Sequence, residues 1–103
     1  MNTIWKFQLS INDLISHGVI VPMPKDAKVL KVRLLDSHTL LMWALVDDRP
    51  LRVGPVDDLM NISPRHHRHE FWLYPTGGEV RGEYIDTVFF DSSREVFHLF
   101  EQI

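Results

Sequence analysis

The densest concentration of chemically versatile side chains is Arg65-His66-His67-Arg68-His69-Glu70, which runs straight into Phe71-Trp72-Leu73-Tyr74. In an extended segment His67 and His69 fall on one face, the spacing at which a strand offers two imidazoles to zinc or a similar ion. A third ligand has to come from elsewhere, with His98, Glu70 or an aspartate as the candidates. Arg65 and Arg68 beside Trp72 and Tyr74 make a different offer, guanidinium forks next to flat rings, the combination that holds nucleotides and single-stranded nucleic acid. Arginine, tryptophan and tyrosine also dominate protein interfaces, and alternation puts Phe71 and Leu73 in the core with Trp72 and Tyr74 on the opposite face. Thr76-Gly77-Gly78 has the adjacent glycines of an anion-cradling loop, yet no Walker lysine-serine pair follows it, and after Pro75 it reads more simply as a turn. The expected binding set is Arg65, Arg68, His69, Trp72, Tyr74, Thr76, Gly77 and Gly78, with His67 and His69 as the metal candidates.

No catalytic residue is assigned. In His69-Glu70-Phe71-Trp72-Leu73 the second histidine of the zinc-protease pattern is replaced by Leu73. The serines lack a nucleophile-elbow setting. Asp47-Asp48 and Asp57-Asp58 are adjacent carboxylates, which alternate in direction on a strand and suit loops better than acid–base work. His98 shares a face with Val96 and Phe100 and reads as a hydrogen-bonded core histidine. No cofactor is expected.

The elements that position these residues are mostly strands. Trp5, Phe7 and Leu9 alternate with Lys6 and Gln8, a strand with one buried face. Ser10 can cap a short helix with Asp13 in its first turn and Gly18 as its stop, although a loop or a further strand fits residues 10–18 as well. Pro22 and Pro24 restrict the next extended stretch to a turn or a sheet edge. In residues 28–35 Leu30, Val32 and Leu34 oppose Lys31 and Arg33; the cations on that wet face read as solvation and edge protection. Asp36-Ser37-His38 turns into residues 39–46, apolar on both faces and in need of cover on each side. From 47 to 68 the pattern dissolves into a long surface connection, with a single helical turn expected at 56–61. Residues 69–74, 83–91 and 95–101 supply three more strands, the last two as a hairpin. The fold class is therefore mostly β: a compact small barrel or sandwich of about seven strands with at most one or two short helices, one domain over 1–103.

Composition narrows the function classes. With 103 residues, 45% hydrophobic and 24% charged, the chain reads as an ordinary globular domain able to bury roughly two-thirds of its unfolded surface. The absence of cysteine excludes thiol catalysis and Cys-ligated metal, and suits a reducing cytoplasm. The start shows no basic leader with an apolar block, and the longest apolar run, 40–46, is far short of a membrane span, so a cytoplasmic protein without a membrane partner is expected. Asn61-Ile62-Ser63 is then an accidental glycosylation match. A net charge of −3 argues against binding duplex DNA.

Several blocks in order, Thr3-Ile4-Trp5-Lys6-Phe7, Trp43-Ala44-Leu45-Val46-Asp47, Phe71-Trp72-Leu73-Tyr74-Pro75-Thr76-Gly77, Glu83-Tyr84-Ile85-Asp86-Thr87 and Val96-Phe97-His98-Leu99-Phe100-Glu101, resemble a small uncharacterised family of tailed-phage and prophage proteins. Residues 10–21 and 48–69 depart from that pattern, and Gly78 stands where those proteins carry a histidine. The resemblance implies a phage product made in a bacterial cytoplasm. The expected function is that of a non-catalytic phage accessory protein, which binds a host bacterial protein for takeover or anti-defence through the aromatic and basic surface, with self-association left open. The alternatives are a trap for defence-signalling nucleotides and, third, a His-dependent metal enzyme.

Overall fold

The alternation of Trp5, Phe7 and Leu9 with Lys6 and Gln8 folds as β1 (Asn2–Ser10), with the apolar side chains turned inward. The computed structural model describes residues 2–47, 66–90 and 95–102. Among these follow α1 (Ile11–Ser16), β2 (Val19–Pro24), β3 (Lys28–Leu34), β4 (Thr39–Asp47), β5 (His66–Pro75), β6 (Glu83–Phe89) and β7 (Val96–Gln102). Ser10 ends β1 and caps the helix, its Oγ accepting the Asp13 N–H at 3.3 Å. At the other end Gly18 takes a φ of 79° and donates its N–H to the Asp13 carbonyl at 2.8 Å. So short a helix is unstable alone. Its buried residues Ile11 and Leu14 hold it in the core.

The strands form two antiparallel sheets, β1-β4-β3 and β2-β5-β7-β6, stacked as a sandwich with open edges. That settles the choice between barrel and sandwich. Leu40, Met42, Ala44 and Val46 of β4 meet Val21, Met23, Phe71, Leu73, Val88, Phe97 and Leu99 from the second sheet across the core. On the other face of β4, Leu41, Trp43 and Leu45 are half-buried, and the described residues place no second layer over them. β3 and β4 are joined by the expected turn, in which Asp36 accepts the His38 N–H at 2.8 Å; that bond holds the Asp36 carboxyl below the usual carboxylate range. Pro22 and Pro24 lie on β2, an edge strand, where a missing N–H costs no ladder bond.

One connection differs from expectation. β5 is antiparallel to β7 and β7 to β6, so β5 and β6 run parallel with β7 between them. Residues 76–82 are therefore a crossover strap that returns along the sheet, rather than a simple separator between neighbouring strands. β5 also starts earlier than residue 69, at His66, which shortens the long connection. Residues 48–65, with Arg65, Asp57-Asp58 and the helical turn expected at 56–61, lie outside the described residues, as do residues 91–94.

Candidate functional site

Alternation along β5 buries His69, Phe71 and Leu73 and leaves Arg68, Glu70, Trp72 and Tyr74 on the outer face of the second sheet. The register then assembles what the local sequence does not reveal. Trp72 stands beside Phe100 of β7, which stands beside Tyr84 of β6; Tyr74 stands beside His98, which stands beside Thr87. Trp72 and Tyr74 lie parallel, with ring centroids 6.2 Å apart and planes 11° apart. Tyr74 and Tyr84 both meet Phe100 edge-on, at 5.5 and 5.7 Å. Such pairs stabilise by roughly 0.5–1.5 kcal/mol beyond their buried area. The Trp72 indole passes over Gly18, where a Cβ would sit 2.4 Å from Nε1, and donates that N–H to Glu70 Oε2 at 2.6 Å.

The strap turns this face into a cleft. Gln102 Nε2 donates to Tyr74 Oη at 3.1 Å and to the Arg81 carbonyl at 2.9 Å, tying strap to sheet. Between them lies a space of about 380 Å³ lined by Glu70, Trp72, Tyr74, Glu79, Arg81 and Gln102. Its walls carry two carboxylates and one guanidinium, so the cleft is aromatic and acidic. Arg68 is exposed on the same face, four residues before Trp72 and thus about 13 Å along the strand, with Glu70 in between. Arg65 lies outside the described residues.

Thr76, Gly77 and Gly78 form a turn, closed by the Gly78 N–H donating to the Pro75 carbonyl at 3.1 Å. Thr76 belongs to a polar chain. Tyr84 O–H donates to Thr87 Oγ1 (2.7 Å), Thr87 to His98 Nδ1 (3.1 Å), His98 Nε2–H to Thr76 Oγ1 (2.8 Å), and Thr76 to the Val96 carbonyl (3.3 Å). This single direction of donation satisfies every member. His98 is hydrogen-bonded as expected, but it lies on the outer face and not in the core, because Leu99 and Phe97 take the inward positions of β7.

His67 and His69 share a strand parity but not an environment. His67 is exposed, whereas His69 is buried with both ring nitrogens engaged. Its Nε2–H donates to the Pro24 carbonyl at 3.0 Å, and Nδ1 shares a proton with Glu101 Oε2 at 2.6 Å. Both neighbours are oxygen acceptors, so the pair needs that shared proton, and neither nitrogen has a lone pair left for a metal. Among the described residues no three His, Asp or Glu side chains group as metal ligands. Truncating Glu101 to alanine should cost about 1–3 kcal/mol, the penalty for stranding a buried polar nitrogen. Glu101→Gln should recover most of the loss, since its amide N–H can donate to an unprotonated Nδ1; urea denaturation of both variants checks this.

One family model, described as Domain of unknown function (DUF7352), matches residues 1–103. The chain belongs to the DUF7352 family. No curated protein and no solved structure matches it. In this DUF7352 chain the residues that sequence reasoning missed are Tyr84, Phe100, Gln102, Glu79 and Arg81. Phe100 and Gln102 could have been found, because they share the period of His98. The other three depend on the crossover, for which the sequence carries no local sign.

Proposed function

We propose that this chain is a non-catalytic binding protein that captures a partner protein on the outer face of its second sheet. One observation carries the reading: Trp72, Tyr74, Phe100 and Tyr84 form a contiguous aromatic face beside a cleft, with Tyr84 54% exposed. Aromatic side chains of this kind supply large contact area at low entropic cost and anchor protein interfaces. Glu70 between Arg68 and Trp72 favours a protein over a nucleotide, since a phosphate gripped by Arg68 would lie far from the ring and beside a carboxylate. The resemblance to tailed-phage and prophage proteins supplies the setting within the same proposal, a bacterial host protein as the partner.

Replacing Arg68 and Trp72 together with alanine should weaken capture at least about 30-fold, as loss of a central interface residue does, while the domain stays folded. Tagged wild-type and variant chains drawn through bacterial lysate, followed by titration of the purified captured protein, measure it. Capture unchanged in the variant removes this face from the function. A rise in melting temperature with cyclic dinucleotides would put the nucleotide trap in its place.

A further inference from the structure

The first sheet presents a second, differently charged face. Its outer side chains form three rows across β1, β4 and β3: Ile4, Leu45 and Lys28; Lys6, Trp43 and Lys31; Gln8, Leu41 and Arg33. The middle column is an apolar stripe, half-buried, about 13 Å long from Leu41 to Leu45. The β3 column is cationic throughout and Lys6 adds a fourth positive charge; among the described residues of these strands the one carboxylate on this face is Asp47, at the end of β4 beyond Leu45. All four cations are exposed, and the described residues give none of them an ion pair. Leu30, displaced by the bulge between Val29 and Lys31, is 46% exposed beside them.

Edge protection accounts for lysines on β3. It does not account for a Leu-Trp-Leu stripe on the solvent side of the central strand, nor for Lys6 facing Trp43 from the opposite strand. A chain with net charge −3 has gathered four cations around one apolar stripe. We propose that this face docks an acidic, amphipathic segment of a protein partner, whose apolar side chains lie along Leu41, Trp43 and Leu45 while its carboxylates meet Lys6, Lys28, Lys31 and Arg33. A single-stranded nucleic acid fits less well, because the stripe holds one ring for stacking and two leucines that offer none. The surface is separate from the Trp72 face, so either reading stands without the other.

The test uses the ¹⁵N-labelled full chain and an end-blocked synthetic peptide of alternating leucine and glutamate pairs. Amide shifts should concentrate in β3, β4 and the Trp43 indole. Binding should fall about tenfold or more in Lys31→Glu/Arg33→Glu, with a glutamine-for-glutamate peptide, and at high salt. If the charge-reversed variant misfolds by urea denaturation, Lys31→Gln/Arg33→Gln carries the same comparison. Absence of shifts, shifts confined to β5 and β7, or equal binding of the glutamine peptide overturns the proposal. So does preferential binding of oligodeoxythymidylate, of phosphatidylserine vesicles, or of a second copy seen as concentration-dependent sedimentation, each of which reassigns the face.

Discussion

Replacing Phe71 with alanine should destabilise the domain by about 3–5 kcal/mol, against a total of about 5–15 kcal/mol for a domain of this kind. The ring is fully buried on β5, a strand flanked by β2 and β7, and it pairs with Val19 on one side and Glu101 on the other. Neighbours on three strands would have to collapse to fill the space, and the hydrogen-bonded ladders on both sides of β5 prevent it. The His69 ring, nearly parallel at 6.5 Å, would lose a wall beside its buried polar pair. Urea denaturation should show a large drop in midpoint with an unchanged slope. The adjacent residue supplies the contrast. Trp72 points to the outer face, so its truncation should cost less stability and more binding; equal destabilisation by the two would mean that the inward and outward assignments along β5 are wrong.

Gly82→Ala should be the most damaging alanine replacement among the described glycines. Gly82 has a φ of 96°, and a Cβ there would sit 2.2 Å from the Glu101 carbonyl oxygen and 2.9 Å from its carbon. The obstacle is backbone of β7 and cannot rotate aside. Forcing the conformation alone costs roughly 1–3 kcal/mol, and the clash adds to it. The strap must lift, which breaks the Gln102 bond to the Arg81 carbonyl and opens the cleft. The expected result is a lower urea midpoint together with lost partner capture. Near-wild-type stability and capture would show that the strap does not shape the binding face.

Features set by neighbours in sequence were legible. The inward residues of β1, the β3–β4 turn and the opposite faces of Phe71 and Trp72 follow from alternation and turn chemistry, whereas the Ser10 cap and the Gly18 stop belonged to one of several readings that residues 10–18 allowed. Features set by distant pairing were not. Nothing local says that β7 inserts between β5 and β6, because a strand's register with a remote partner is decided by which apolar faces bury together. For the same reason the spacing of His67 and His69 suggested a chelate, whereas Pro24 on β2 and Glu101 on β7 claim both nitrogens of His69. The aromatic half of the site was visible in Trp72 and Tyr74, and Glu70 shares their face by the same alternation; Glu79 was not visible, since it reaches the cleft only through the crossover.

The placement of β7 also governs how the domain can assemble during synthesis. β6 emerges from the ribosome ahead of its one neighbour in the sheet, and until that strand follows β5 has only β2 to pair with. At about 5–20 residues per second, the apolar faces of Phe71, Leu73 and Val88 wait on the order of a second for Phe97 and Leu99 to arrive. The second sheet is thus closed by a late insertion rather than built outward from one edge, and the nascent chain passes through an interval in which a chaperone or a stray strand can occupy the slot that β7 will fill.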